Sequence, residues 1–245
     1  NPVLFQSMEG TLSLFYKVGP SPREWWGMVK TSDDMGKTWS KGIRLPQDIL
    51  GPIKNKPVQL TDGAILSPSS TETRTSEGLN WKVHIEKSVD DGKSWTKIPI
   101  DQQSPYDVIQ PSILVLEDQR LQILCRSRDN AVMQAFSEDQ GSTWGPVTPT
   151  ELPNPNSGTD ALTLSNGQHL LVYNPTKRGK NGRAKLAVAI SQDGVDWKDV
   201  VMLEDQKNGE FSYPAVIESS DGKIHISYTY NRKNIKHVVL EIDGK

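Results

Sequence analysis

The chain reads as an all-β protein, and within that class as a β-propeller, on three observations. A Ser-x-Asp-x-Gly-x-Thr-Trp box recurs along it: Ser32 to Trp39 (SDDMGKTW), Ser88 to Trp95 (SVDDGKSW), Ser137 to Trp144 (SEDQGSTW) and, one residue shorter, Ser191 to Trp197 (SQDGVDW). The closing tryptophans follow one another at 56, 49 and 53 residues. Between the boxes, Glu9-Gly10, Asp62-Gly63, Asp118-Gln119, Asn166-Gly167 and Asp221-Gly222 each separate two short apolar runs, the pattern of a two-residue hairpin turn. Finally, 16 prolines, 19 glycines and no long 3.6-residue periodicity argue against helices.

The elements follow in order. Each unit of roughly 50 residues, a period typical of propeller blades, gives strand A, a tight turn, strand B, a longer loop, strand C, the box and strand D. The A and B runs are Val3 to Phe5 with Leu12 to Tyr16, Ile113 to Leu116 with Leu121 to Leu124, Ala161 to Leu164 with His169 to Tyr173, and Ala215 to Ile217 with Lys223 to Tyr230. One four-stranded sheet cannot bury both faces alone, but blades stacked around an axis can. A single domain, 1–245, is expected, with blades at 1–50, 51–105, 106–152, 153–208 and an incomplete 209–245. The boxes are architectural. Their Asp can accept backbone N–H groups within its turn, Gly permits positive φ, and the Trp ring packs between sheets.

Charge and composition narrow the function. With 28 Lys+Arg against 30 Asp+Glu the formal charge is −2, which speaks against nucleic acid as a partner. No apolar run approaches the roughly 20 residues of a membrane span. The one cysteine, Cys125, excludes internal disulfides and a cysteine-based zinc site. His84, His169, His225 and His237 lack metal-ligand spacing, so no metal and no cofactor is assigned. A monomer is expected; localisation is not legible.

Strand direction says where to look. A-strand starts, B-strand ends and B–C loops share one end of the propeller, opposite the hairpins and boxes. That end is polar: Asn1, Lys54, Asn55, Lys56, Gln110, Asn154, Asn156, Asp160 and Tyr213 at A-strand starts; Lys17, Arg23, Glu24, Glu72, Arg126, Arg128, Asn174, Lys177 and Arg183 at B-strand ends and loops, with Trp25 and Trp26 beside them. Guanidinium forks hold carboxylates bidentately, and flat aromatics pack on sugar faces. The set suits a sugar acid.

The strings NPVLFQ, LFYKVGPSPREWWG, GPIKNKPV, IQPSIL, PNPNSGTDA and SYPAVIESSDGKIHISYTY resemble the BNR-repeat, predicted-neuraminidase branch of the sialidase superfamily, over essentially the whole chain. The resemblance implies a six-bladed propeller, here incomplete with about five blades. It also implies an exo-glycosidase that holds the substrate carboxylate with three arginines and attacks with a Tyr activated by a Glu, an Asp serving as acid/base. Tyr213 matches the nucleophile, Arg183 the third arginine and Arg126 the second, with Arg128 as fallback. The position of the activating Glu, eight residues before Asp118, is Gln110. An amide cannot take a proton near neutral pH, and a phenol without a base is a poor nucleophile, its ordinary pKa being about 10. Either another carboxylate substitutes, with Glu72 the best candidate, or the reaction differs from sialic acid hydrolysis. Catalysis is therefore expected of Tyr213 and Glu72, and substrate binding of Arg126, Arg183, Gln110, Arg128, Lys54, Asn55, Lys56, Asn156 and Asp160.

The substrate expected is a glycan ending in an acidic sugar, sialic acid or uronate. Two alternatives stand beside hydrolysis. A polysaccharide lyase would use Lys54, Lys56 and Tyr213 and release an unsaturated product; a non-catalytic glycan-binding propeller would explain Gln110. The first arginine and the acid/base belong to a family blade with no counterpart here, and the chain enters an apolar run directly at Asn1. Asn1 is thus expected to be a break inside a longer protein or the start of a truncated product, with roughly 70–120 residues of propeller absent at this repeat length and a gap beside the first blade.

Overall fold

A computed structural model describes residues 2–76 and 78–241. Asn1, and the end of the fifth blade as drawn from sequence, lie outside the described residues. Nineteen strands and no helix are present among the described residues. They form five antiparallel sheets in sequential order. The first contains β1 (Val3–Gln6), β2 (Leu12–Val18), β3 (Trp26–Ser32) and β4 (Ile43–Arg44). The second has β5 (Val58–Gln59), β6 (Ile65–Thr75), β7 (Gly78–Ser88) and β8 (Thr96–Pro99). The third has β9 (Val108–Val115), β10 (Leu121–Ser127), β11 (Ala131–Ser137) and β12 (Thr148–Pro153). The fourth has β13 (Asp160–Thr163), β14 (His169–Tyr173), β15 (Lys185–Ser191) and β16 (Lys198–Asp205). The fifth has three strands, β17 (Phe211–Glu218), β18 (Ile224–Tyr230) and β19 (Asn234–Leu240). The architecture is a five-bladed β-propeller arrangement, with β13 touching both β9 and β17, so the A strands stand innermost.

The turns differ from the two-residue expectation. In the first hairpin Ser7 N donates to Thr11 O and Gly10 N to Ser7 O, so Met8, Glu9 and Gly10 form a three-residue loop. The same pair of bonds recurs at Leu60, Leu116, Leu164 and Ser219. Each loop ends in a left-handed residue, Gly10, Gly63, Gln119, Gly167 or Gly222. That geometry follows the strand twist as well as a two-residue turn does. Gln119 fills the position with φ +68° despite its side chain.

The boxes behave as expected. In the first, Asp34 Oδ1 accepts from Thr38 N at 2.8 Å, Oδ2 from Thr38 Oγ1 at 2.7 Å, and Ser32 Oγ receives Gly36 N at 2.9 Å. Each closing indole satisfies its own N–H on the box glycine carbonyl, as with Trp39 on Gly36 and Trp197 on Gly194. These bonds hold Asp34, Asp90 and Asp139 down to about 2, the Thr or Ser hydroxyl contributing most.

Packing runs from sheet to sheet. Leu66, Val83 and Ile85 of the second blade meet Ile113, Ile123, Cys125 and Met133 of the third. Leu170, Val172, Leu186 and Val188 of the fourth meet Phe211, Val216, Ile226 and Tyr228 of the fifth. Burial of the Cys125 thiol pushes its pKa far up, as befits an inert core residue. The first and second blades are tied by a buried carboxylate: Glu86 accepts Leu50 N and Gly51 N at 2.7 Å each and contacts His84 Nε2 at 3.1 Å. Among the described residues no hydrogen bond or ion pair joins the fifth sheet to the first.

Candidate active site

The A strands begin with a recurring distortion. Lys54, Gln110 and Tyr213 each stand nine residues before a left-handed hairpin residue, and all three are themselves left-handed, at φ +73°, +57° and +52°. Such a backbone costs about 1–3 kcal/mol for a residue with a side chain and persists only where the surroundings impose it. In the fifth blade the β17–β18 register breaks between Ser212 and Ala215, so Tyr213 and Pro214 form a bulge. Bulges re-aim side chains, and this one carries Tyr213, which is 43% exposed.

A cleft of about 350 Å³ opens at this end, lined by Pro22, Trp25, Ile53, Ser70, Glu72, Trp81, Ile109, Gln110, Arg126 and Tyr213. Four of the five blades contribute to it. Arg126, at the end of β10, is buried; its Nε donates to Asn156 Oδ1 at 2.9 Å and Nη1 to Gln110 Oε1 at 3.4 Å, and its guanidinium lies 5.3 Å from the Trp81 ring centre. Burial pulls its pKa down, while Tyr213 and Glu72 favour the charged form. Arg183 follows from the fourth blade: Nη2 donates to Asn156 O at 2.9 Å, Nη1 pairs with Glu210 Oε1 at 3.2 Å, and the guanidinium is 5.6 Å from the Tyr213 ring centre. Asn156, itself left-handed at φ +64°, thus holds both arginines, one with its side chain and one with its carbonyl.

Glu72 lies within the cleft but not in a B–C loop. The second blade has a tight hairpin between two 11-residue strands, and Glu72 sits in β6 opposite Trp81 of β7. Cross-strand pairing therefore sets a carboxylate beside an indole. Gln110 N donates to Ser70 Oγ at 3.3 Å.

The other expected residues are placed elsewhere. Lys54 does not line the cleft; its Nζ is buried and donates to Asn55 Oδ1, Thr159 O and Pro214 O at 2.8, 2.7 and 2.6 Å. Asn55 is 1% exposed and gives Nδ2 to Gln110 O and Ser112 Oγ. Asp160 is buried, receiving Lys56 Nζ at 3.0 Å and Val216 N at 2.8 Å. Lys56 borders a separate cavity of about 380 Å³ between the inner strands, with Ile113, Ala161 and Ile217. These four residues bond between A strands, and none of them is among the side chains that line the cleft. Arg128 also lies outside the lining: it stacks on Trp81 at 3.8 Å and pairs with Asp107 Oδ2 at 3.0 Å. Asn154 and Asn174 are fully buried, their amides bonded to backbone carbonyls.

Sequence reasoning passed over Trp81, Ser70, Asp107 and Glu210. Glu210 anchors Arg183 and also receives Ser212 Oγ at 2.9 Å. A signal existed: Asp107 and Glu210 each stand three residues before a left-handed A-strand residue, Gln110 and Tyr213, and each pairs with an arginine.

The chain is 24% identical over 240 residues to a sialidase of Paraclostridium sordellii, covering 85% of this chain and 57% of that sialidase. In fold it is similar to a protein of unknown function from Dyadobacter fermentans DSM 18053, with TM-score 0.79, 18% identity, and coverage of 98% of this chain and 76% of that one. It is also similar to the intramolecular trans-sialidase from Ruminococcus gnavus solved with oseltamivir carboxylate, with TM-score 0.69, 22% identity, and coverage of 89% and 51%. The chain thus spans just over half the length of the sialidase it matches. The model of the BNR repeat-like domain matches residues 1–226. The chain belongs to the BNR repeat-like domain family, in the sialidase superfamily.

Proposed function

We propose that the protein is a sialidase-like exo-glycosidase acting on a terminal acidic sugar, sialic acid or a uronate. The observation that carries this is the gathering of Arg126, Gln110, Glu72 and Tyr213 from three blades into one cleft, with Arg183 stacked on Tyr213 from a fourth. In this reading Arg126 and Arg183 hold the sugar carboxylate, their forks fixed in advance by Asn156 and Glu210. Tyr213 Oη attacks the anomeric carbon as Glu72 takes the phenolic proton. The glycosidic bond breaks, an acid protonates the leaving oxygen, and water releases the sugar from the tyrosine. A tyrosine nucleophile is an established variant of glycoside hydrolysis.

Glu72 is assigned the base because Gln110 cannot be one. With a methylumbelliferyl glycoside of N-acetylneuraminic acid or glucuronic acid, Glu72→Gln should lower kcat by about 10²–10⁴-fold, the usual worth of a general base. Adding Gln110→Glu to that variant should restore part of the loss. Unchanged kcat in Glu72→Gln would end the assignment. Binding without turnover by the unaltered protein would favour the non-catalytic reading, which the Gln110 amide supports. The lyase reading keeps Tyr213 in the cleft, but Lys54 is bonded to three acceptors and Lys56 is paired with Asp160.

The complete propeller is proposed to have six blades. Support comes from the outward face of the fifth sheet, where Ala215, Ile217, His225, Ser227 and His237 line an open apolar hollow. In protein isolated from its source, diethylpyrocarbonate should spare His225 and His237; ready modification of both would refute a covering sixth sheet.

A further inference from the structure

We propose that Lys54 is a positioning residue for Tyr213, acting from the second blade through the backbone of the fifth. The Tyr213-Pro214 bulge has lost its ladder partners, since pairing jumps from Ser212 opposite Thr229 to Ala215 opposite Ser227. A bulge freed from its ladder needs another acceptor or donor to fix it. The ammonium of Lys54 supplies one: Nζ lies 2.6 Å from Pro214 O, the carbonyl immediately after Tyr213. The same nitrogen reaches Thr159 O, so one group spans three blades. Asn55 Oδ1, fixed by its own bonds to the third blade, takes the remaining proton.

Its surroundings are built for it. Gly158 lies against the lysine stem, and a Cβ there would come 2.9 Å from Lys54 Cε and 3.1 Å from Gln110 Oε1. Burial lowers the Lys54 pKa to about 8, with Asp160 opposing the fall and Lys56 and Arg126 adding to it. A desolvated ammonium with three acceptors has one geometry available. It therefore holds the left-handed Tyr213 against its steric cost from outside the β17–β18 ladder. Lys54 touches the reaction only through this backbone.

The experiment labels the tyrosines with 3-fluorotyrosine and follows their fluorine NMR lines, Tyr213 being assigned by Tyr213→Phe. Lys54→Met should shift or broaden the Tyr213 line and leave those of Tyr173 and Tyr106 in place. The kinetic arm rests on the glycosidase reading: kcat should fall about 100-fold, the cost of a misplacement near 1 Å, with KM within about threefold because the arginines are untouched. Gly158→Ala, which crowds the stem and keeps the charge, should move the same line less, and it decides the matter if Lys54→Met does not fold. A Tyr213 line unchanged in the folded variants would overturn the proposal and leave Lys54 a support of the fold. If the unaltered protein turns over no acidic glycoside, the glycosidase reading fails while the fluorine line still decides the role of Lys54.

Discussion

The two ends of the propeller are built on opposite plans. At the box end the boxes' own side chains bond locally: Asp34, Asp90, Asp139 and Asp193 each satisfy the turn that carries them, and each indole N–H returns to a glycine three residues back. At the cleft end the contacts cross blades. Lys54 bonds to the fourth and fifth, Arg126 to the fourth, and Arg183 stacks on the fifth. The lesson is that repetition serves architecture, and the candidate site gathers where the repeat is broken. Equivalent A-strand positions hold Lys54, Gln110 and Tyr213, three different chemistries on one backbone distortion.

Substitutions can break this contrast, or sharpen it. The largest effect is expected from Arg126→Ala, which removes a guanidinium shared among three blades. It should lower kcat/KM on an acidic glycoside by about 10²–10³-fold, near 3–4 kcal/mol of transition-state binding. Far-ultraviolet dichroism should remain that of the β-sheet protein. An active Arg126→Ala protein would show that the cross-blade contacts are architectural too.

Next comes Trp144→Ala at the other end. Its ring packs against the core cluster shared by the second and third blades, and truncating a partly buried tryptophan should cost about 2–4 kcal/mol in urea unfolding. The kcat/KM of the protein that remains folded should stay within about twofold, since effects at distant sites are separable. A large loss of turnover in folded Trp144→Ala would mean that the two ends are coupled.

The smallest effect is a pH dependence of the boxes. Folding depresses the Asp34, Asp90 and Asp139 pKa values from the ordinary 3.8 to about 2. The unfolded chain therefore binds protons first as pH falls. The stabilisation is complete above about pH 4, declines below it and is gone once pH passes below about 2. The melting temperature should fall through that window, and it should fall less in a variant with all three changed to Asn. Identical profiles would show that the box carboxylates add nothing to stability.

Much of the site was legible in register. Counting from hairpin and box placed Arg126, Arg183, Gln110 and Tyr213 at one end of the molecule, because a repeat fixes strand direction and strand direction fixes the end. Glu72 was legible as a carboxylate near that end, but not as the partner of Trp81, because the second blade extends its hairpin instead of opening a loop. Lys54, Asn55 and Asp160 looked like ligands at the polar end, since polarity in a sequence carries no sign of burial; the convergence of A strands bonded Lys54 to Asn55, Asn55 to Gln110 O, and Asp160 to Lys56 and Val216 N.

By itself, then, the sequence determined the blade order, the places of the turns and the boxes, because their hydrogen bonds close within a few residues and depend on local residue types. Tertiary structure decided which polar groups face the cleft and which are struts. That choice depends on distances between A strands some 50 to 160 residues apart, such as Lys54 to Thr159 and Pro214, and those distances exist only once the blades have packed around their axis.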